Sequence, residues 1–333
     1  MSQNNQVHII NSLRAIAALM VCFFHFIWHE DNFGSLLPAE STIKQIGYYG
    51  HHGVNVFFVI SGFVIPLAMY YGKYKIEYFV KFISKRMVRL HPPFIASMLL
   101  YGVMEYFYWL KGGYVIIYDW GRIAHNFFLT AKIFNESWFQ DVYWTLAIEL
   151  QYYLVIALIF PIIIHQKKWI SNAGILIMLA LCFFFGHDQK HYFFFHTPVF
   201  MFGVVLFLHH IKRINTFELA VFTFYSMWLI YYEITPACVI AALGTGICIY
   251  AVKWRSKFLE WSGQLSYSLY LTHAFSGGQL LYYFAHHAVT LWQKVGLIVT
   301  SVAISIGFAY LFYRMIEVPS VNWSQKIRYK KPA

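Results

Sequence analysis

Residues 11–29 read NSLRAIAALMVCFFHFIWH, an apolar run that carries Arg14 and His25. Histidine exchanges a proton near neutral pH, and arginine holds phosphate oxygens or developing negative charge. Eleven residues on a helix are about three turns, ~16 Å of rise, and return to within ~20° of the starting face. Arg14 and His25 therefore share a stripe, the arginine near one membrane boundary and the histidine most of the way to the other. An ionisable group within a span costs at least ~2.5 kcal/mol on insertion scales, so it normally faces protein or a water-filled cavity. Arg14 alone could equally snorkel to the interface. The pair on one stripe favours a polar pathway through the bilayer.

Other polar groups interrupt apolar runs. DVYWTLAIELQYYLVI (141–156) places Glu149 about eight residues in from its outer end, or ~12 Å by helical rise. That depth resembles His25's, so a histidine–carboxylate pair that orients the ring is expected. The alternative is a neutral Glu149 bonded to a hydroxyl. YGHHGVNVFFVISGFVIP (49–66) offers His52 and Asn55 toward its outer end, with Ser61 and Gly62 deeper. The small pair suits close approach of a ligand or, equally, of another helix. FVKFISKRMVRLHPP (79–93) puts Lys81, Lys85 and Arg89 on one face, with Arg86 beside it. Such a face anchors to lipid headgroups or binds a phosphorylated ligand. Pro92 and Pro93 are expected to end this segment before the next span. His273, in SGQLSYSLYLTHAFSGG (262–278), is a weaker candidate that also reads as structural. Cys22, Cys182, Cys238 and Cys248 lie in apolar runs without disulfide or zinc spacing, and no metal is expected.

These residues need a membrane to sit in, and the composition demands one. Of the 333 residues 59% are hydrophobic, 21% aromatic and only 12% charged, against about 25% charged in ordinary soluble domains. That excludes a soluble nucleic-acid binder despite a net charge of +11, because the basic residues lie between apolar runs. Ten spans are expected, near 10–29, 50–71, 92–110, 141–164, 169–187, 192–209, 217–233, 236–252, 264–286 and 292–316. The break at YYEITPA (231–237) rests largely on Pro236. The fold class is all-α, a polytopic bundle forming a single domain over 1–333, with no cleaved leader. With the N-terminus inside, 17 of the 25 Lys and Arg fall in inside segments and 6 outside, so both termini are expected in the cytoplasm. The outer segment 111–140, with GRIAHNFFLT, is expected to lie on the interface or dip into it.

Together the motifs resemble the acyltransferase-3 family of integral-membrane acyltransferases, along nearly the whole chain. They are RAIAALMVCFFH, GVNVFFVISGFVI, KRMVRLHPP, WTLAIELQYY and SYSLYLTH, in the expected order. The resemblance implies a ten-helix bundle and transfer of an acyl group, commonly acetyl, from acyl-CoA to a hydroxyl of a surface or exported glycan or glycolipid. It implies the inner (cytoplasmic) membrane as location. By position, Arg14 and His25 match the family's essential pair, Arg86 and Arg89 its basic motif, and Trp144 and Glu149 its tryptophan–glutamate motif. Lys85 stands where many members have arginine, and Thr145 where serine is more frequent. Some members carry an added SGNH-type domain, which is not expected here.

On this reading Lys85, Arg86 and Arg89 hold the CoA phosphates, and the pantetheine arm passes Arg14 and Ser61. His25 is the base, oriented by Glu149, while Trp144, His52, Asn55 and His273 are candidates near the acceptor. Direct transfer and a covalent acyl-histidine both remain open. The rival class is a transporter or flippase of a polar solute, for which buried ionisable residues are equally expected.

Overall fold

The computed structural model describes residues 3–28, 36–38, 40–111, 119–186, 190–252 and 256–329, with side chains from His8 onward. The expected span ends at 29 and 187, the stretch 112–118 of the outer segment, and Lys253, Arg255, Lys330 and Lys331 lie outside the described residues. Among the described residues there is no β-strand. Helices occur in all ten expected stretches, and six are long and apolar enough to cross a bilayer. Apolar side chains such as Leu99, Phe184, Phe224 and Ile240 stand exposed around the bundle, as lipid-facing residues do. The protein is an all-α, multi-pass membrane protein.

The helices are α1 (Gln3–Phe23), α2 (Thr42–Tyr48), α3 (Gly53–Tyr71), α4 (Phe79–Leu110), α5 (Trp120–Phe127), α6 (Tyr143–Ile163), α7 (Lys168–Phe185), α8 (Phe193–His210), α9 (Thr216–Glu233), α10 (Pro236–Ala251), α11 (Lys257–Gln264), α12 (Ser266–His273), α13 (Gln279–Phe284), α14 (Leu291–Phe312) and α15 (Val318–Lys326). The break before α10 is built locally. Thr235 Oγ1 accepts from the Cys238 amide at 3.1 Å, and Pro236 supplies the first turn, where its missing N–H costs nothing. Wider π turns at Phe24–Trp28, Ala274–Gly278 and Tyr313–Glu317 extend α1, α12 and α14. Such turns often mark functional sites, and here they end or begin beside His25, His273 and Glu317.

The structure corrects the expectation for the paired prolines. Pro92 and Pro93 do not end the basic helix; α4 runs unbroken through both. A proline cannot donate to the carbonyl four residues back, which releases the carbonyls of Val88 and Arg89. The Ser320 hydroxyl of α15 lies 2.6 Å from Val88 O and 2.9 Å from Arg89 O, and donates to this pair. A residue some 230 positions away in sequence thus completes the helix that carries the basic motif.

Gly62 turns out to serve packing. A Cβ there would stand 2.1 Å from Phe200 O, and one at Gly203 would stand 2.3 Å from Val59 O, so α3 and α8 cross at backbone contact. Phe58 and Tyr152 stack on Phe200 beside that crossing, at 4.5 and 4.3 Å. At one end of the bundle α11 crosses α1, with His8 Nδ1 2.8 Å from Glu260, and Tyr329 stacks on Tyr78 at the start of α4. Lys73, Lys85, Lys168, Arg213 and Arg328 gather at this basic end. Arg213 there donates to Ile164 O at 2.7 Å, tying two of its loops together.

Two substitutions and one control test this architecture by thermal unfolding in detergent. Ser320→Ala should cost about 1 kcal/mol by leaving two partly buried carbonyls without their side-chain donor. Gly62→Ala should cost ~1–3 kcal/mol through overpacking, whereas Gly244→Ala, with open space around its Cβ position, should not destabilise.

Candidate active site

Three cavities succeed one another through the bundle. The first is a cleft of about 540 Å³ at the basic end, between the start of α4 and the segment after α15. Lys73, Lys85, Arg86, Arg89 and Arg328 line it, and among the described residues no carboxylate does. Lys81, on the same face of α4, instead donates to Tyr329 O at 3.1 Å. Partial burial, then the charges of Arg86, Arg89 and Arg328, hold the Lys85 ammonium below the ordinary lysine pKa. An anion would relieve that repulsion. The Arg86 guanidinium lies between the rings of Phe82 and Tyr153, 5.3 and 5.5 Å from their centroids, and its Nε is buried without a partner. Such a fork suits phosphate oxygens.

Arg86, Arg89 and Val64 also line the second cavity, of about 140 Å³, so cleft and cavity share walls. Arg14, Ser61, Glu149 and Glu317 also line it, together with the hydroxyls of Thr145, Tyr153, Ser266, Tyr267 and Tyr270. Tyr153 donates to Glu149 Oε1, which also receives Ser61 Oγ at 3.5 Å. Ser268 donates to Glu317 Oε2 at 2.6 Å. Among the described residues none of the three arginines forms an ion pair with either carboxylate. Charges at this depth need a counter-charge or hydration, so the chamber suits a polar ligand.

Tyr270 and Val54 line the second cavity and also the third, of about 470 Å³ at the opposite end. The Tyr270 hydroxyl is 2.6 Å from Thr145 Oγ1 and donates to Val142 O at 3.0 Å, which pins α12 to the start of α6. Beyond this partition stand His25, His51, His52, Asn55, Trp144, His191 and His196. Asn55 Nδ2 is 2.9 Å from His52 Nδ1, and the Trp144 ring stacks on His196 at 5.5 Å. His191, outside the spans, is held below the ordinary imidazole pKa by burial and then by Lys132 and Lys190.

The structure brings Arg14, Ser61, Arg86, Arg89 and Glu149 to one chamber, and His25, His52, Asn55 and Trp144 to another. It does not bring Glu149 to His25. Glu149 lies one helical turn beyond Thr145 toward the basic end, behind the Tyr270 partition, and its partners are Ser61 and Tyr153. The equal-depth expectation counted residues from helix ends and could not see this partition. His273 is fully buried and lines none of these cavities. Its Nδ1 lies 3.1 and 2.9 Å from the carbonyls of Leu269 and Tyr270 and so carries the proton. Its Nε2 has no partner, and its ring is 5.0 Å from that of His25. It packs against His25. Gly62 faces α8, so only Ser61 of that pair lines the chamber.

Glu317, Tyr153 and Arg328 were not anticipated. Glu317 sits just past an expected span end, where a carboxylate reads as solvated, yet it is 4% exposed. Only its position in an otherwise apolar stretch could have flagged it. Among the described residues no group of three His, Cys, Asp or Glu is placed to hold a metal.

Comparison with known proteins adds a family. The sequence model of a family described as an acyltransferase domain matches residues 7–314. A protein of Acidianus two-tailed virus, ORF330, named as a candidate acetyltransferase, is 25% identical over 298 residues, covering 81% of this chain and 83% of the relative. The O-acetyltransferase OatA of Staphylococcus aureus is 27% identical over 166 residues, 43% of this chain and 27% of OatA. Nodulation protein 10 of Rhizobium leguminosarum bv. viciae is 26% identical over 187 residues, 50% of this chain and 46% of the relative. The chain thus spans under half of those last two proteins. No solved structure matches it.

The cleft lined by Lys73, Lys85, Arg86, Arg89 and Arg328 should take a polyanion. Inorganic triphosphate at millimolar concentration should raise the unfolding midpoint, since a ligand of the folded state stabilises it by mass action. Arg328→Ala should weaken that shift severalfold. Equal shifts in the two proteins would remove Arg328 from the site.

Proposed function

Because the chain belongs to the acyltransferase-3 family of membrane acyltransferases, we propose that it is a membrane O-acyltransferase working across the bilayer. In this reading the donor is acyl-CoA, acetyl-CoA foremost, and the acceptor is a hydroxyl of a surface or exported glycan or glycolipid. The basic end faces the cytoplasm, following the positive-inside bias, and the inner membrane is the proposed location. The observation that carries the proposal is the sharing of walls. Arg86 and Arg89 belong to both cleft and inner chamber, and Tyr270 to both inner chamber and histidine-lined cavity. One extended ligand, anionic at one end and reactive at the other, fits that series.

Lys85, Arg86, Arg89 and Arg328 would bind the CoA phosphates. The pantetheine arm would cross the chamber past Ser61 and Arg14, toward Tyr270. Reaching His25 requires the Tyr270–Thr145 contact to yield or the thioester to pass beside it at Val54. His25 then takes the proton of the acceptor hydroxyl as its oxygen bonds to the acyl carbon. The C–S bond breaks, and the imidazolium returns the proton to the departing thiolate, giving ester and free CoA. The buried Nε2 lone pair of His273 lies behind the His25 ring and would favour one tautomer of it. Glu149, removed from His25, would act within the chamber by holding Ser61 and balancing Arg14. If a covalent acyl-histidine forms instead, the same groups serve two successive steps.

His25→Ala should leave a folded protein whose transfer from labelled acetyl-CoA falls by at least ~100-fold, in line with loss of a general base. Transfer near the parental rate would reject that role. Arg86→Ala should weaken acetyl-CoA binding at least ~10-fold by calorimetry, about 1.4 kcal/mol. In proteoliposomes, uptake of a solute without CoA release would favour a transporter instead.

A further inference from the structure

A fourth cavity, of about 500 Å³, opens at the end away from the basic cleft, between the last turns of α4, α13 and the loop before α6. It shares His25, Asp141 and Val142 with the histidine-lined cavity, so it adjoins the proposed base. Its lining differs in kind. Tyr101, Glu105 and Tyr108 recur at helical spacing on one face of α4. Gln279 and Tyr282 face them from α13, and Gln140 enters from the loop.

Two acceptors in this wall are unsatisfied. Gln140 is 8% exposed; its Nε2 donates to the Tyr101 hydroxyl at 2.6 Å, and its Oε1 is buried without a partner. Turning the amide over would only exchange the unpaired end. Oε2 of Glu105 is likewise buried and unpartnered. Buried polar atoms are nearly always paired in native proteins, and exceptions invite a functional explanation. The loop that carries Gln140 is held in advance. Asn126, fully buried, donates to Ser137 O at 3.0 Å and accepts from the Phe139 amide at 2.9 Å. Arg122 donates to Ser137 O and Trp138 O, each at 3.3 Å. Around these acceptors stand aromatic faces, Tyr108 and Tyr282 meeting edge to face at 5.7 Å.

Fixed acceptors set among aromatic faces call for a ligand with several O–H donors and an apolar C–H face. The Glu105 carboxylate disfavours an anion. We propose that this cavity is the acceptor subsite and holds a neutral pyranose ring, two of its hydroxyls donating to Glu105 Oε2 and Gln140 Oε1 while a third is presented to His25. The assignment rests on the acyl-transfer reading above and adds the residues that select the acceptor.

The test uses the purified full chain with labelled acetyl-CoA. Methyl pyranosides of glucose, mannose and N-acetylglucosamine are the acceptor probes, with butan-1-ol as a hydroxyl lacking a ring. At least one pyranoside should be acetylated with saturation, and butan-1-ol should not. Gln140→Leu and Glu105→Leu should each raise the pyranoside KM at least tenfold, with a smaller change in kcat and acetyl-CoA affinity within twofold of the parent. Tyr282→Leu, on the partly exposed rim, guards against misfolding of the buried variants and should raise KM severalfold. Unchanged KM in all three, equal use of butan-1-ol, no use of any pyranoside, or parallel loss of acetyl-CoA binding would each overturn the subsite. A parent protein that neither binds acetyl-CoA nor releases CoA would instead refute the acyl-transfer reading itself.

Discussion

Charge within the thickness of a bilayer must be enclosed, and the rest of this structure follows from that constraint. Arg14, Arg86, Arg89, Glu149 and Glu317 line one small chamber. None could face hydrocarbon without a cost of several kcal/mol. The bundle therefore closes around them, with α1, α3, α4, α6, α12 and the π turn before α15 each contributing wall. The charges do not neutralise one another by direct pairing. The chamber keeps a polar interior that a ligand can use, and the hydroxyls of Ser61, Tyr153 and Ser268 hold the carboxylates in place.

The same need to satisfy polar groups away from water shapes the helices. Two consecutive prolines would normally break α4, because the freed carbonyls of Val88 and Arg89 would lie unpaired. Ser320 supplies the missing donor, so the basic motif and the span beyond it stay one rigid element. On that element Arg86 and Arg89 line the cleft and the chamber together. At the other end of the molecule Asn126 and Arg122 do comparable work for the loop before α6. They fix its carbonyls and amides, and so fix Gln140 beside the proposed acceptor cavity.

The partition formed by Tyr270 and Thr145 gives the arrangement its direction. On one side lie guanidiniums with Glu149 and Glu317, on the other five imidazoles with Lys132 and Asp141, and Tyr270 touches both compartments. The hydroxyl contact between Tyr270 and Thr145, at 2.6 Å, lies where the two compartments meet.

The sequence by itself determined the class of fold and most of the ionisable inventory. Apolar runs of span length can only be helices in lipid, because every backbone group must be paired within its own segment. A charged residue inside such a run announces itself by cost, which is why Arg14, His25 and Glu149 could be singled out, whereas Arg86 and Arg89 showed as part of a basic helical face between two spans. Spacing along one helix also placed Arg14 and His25 about three turns apart. What spacing could not reach was contact between helices. Whether Glu149 met His25 depended on Tyr270, from a helix more than a hundred residues away. Whether Pro92 and Pro93 broke α4 depended on Ser320, and whether Glu317 was solvated or enclosed depended on Arg14's chamber forming around it. Local pattern reports the cost of a group in the membrane. Only the packed bundle decides which neighbour offsets it, because that partner comes from a distant part of the chain.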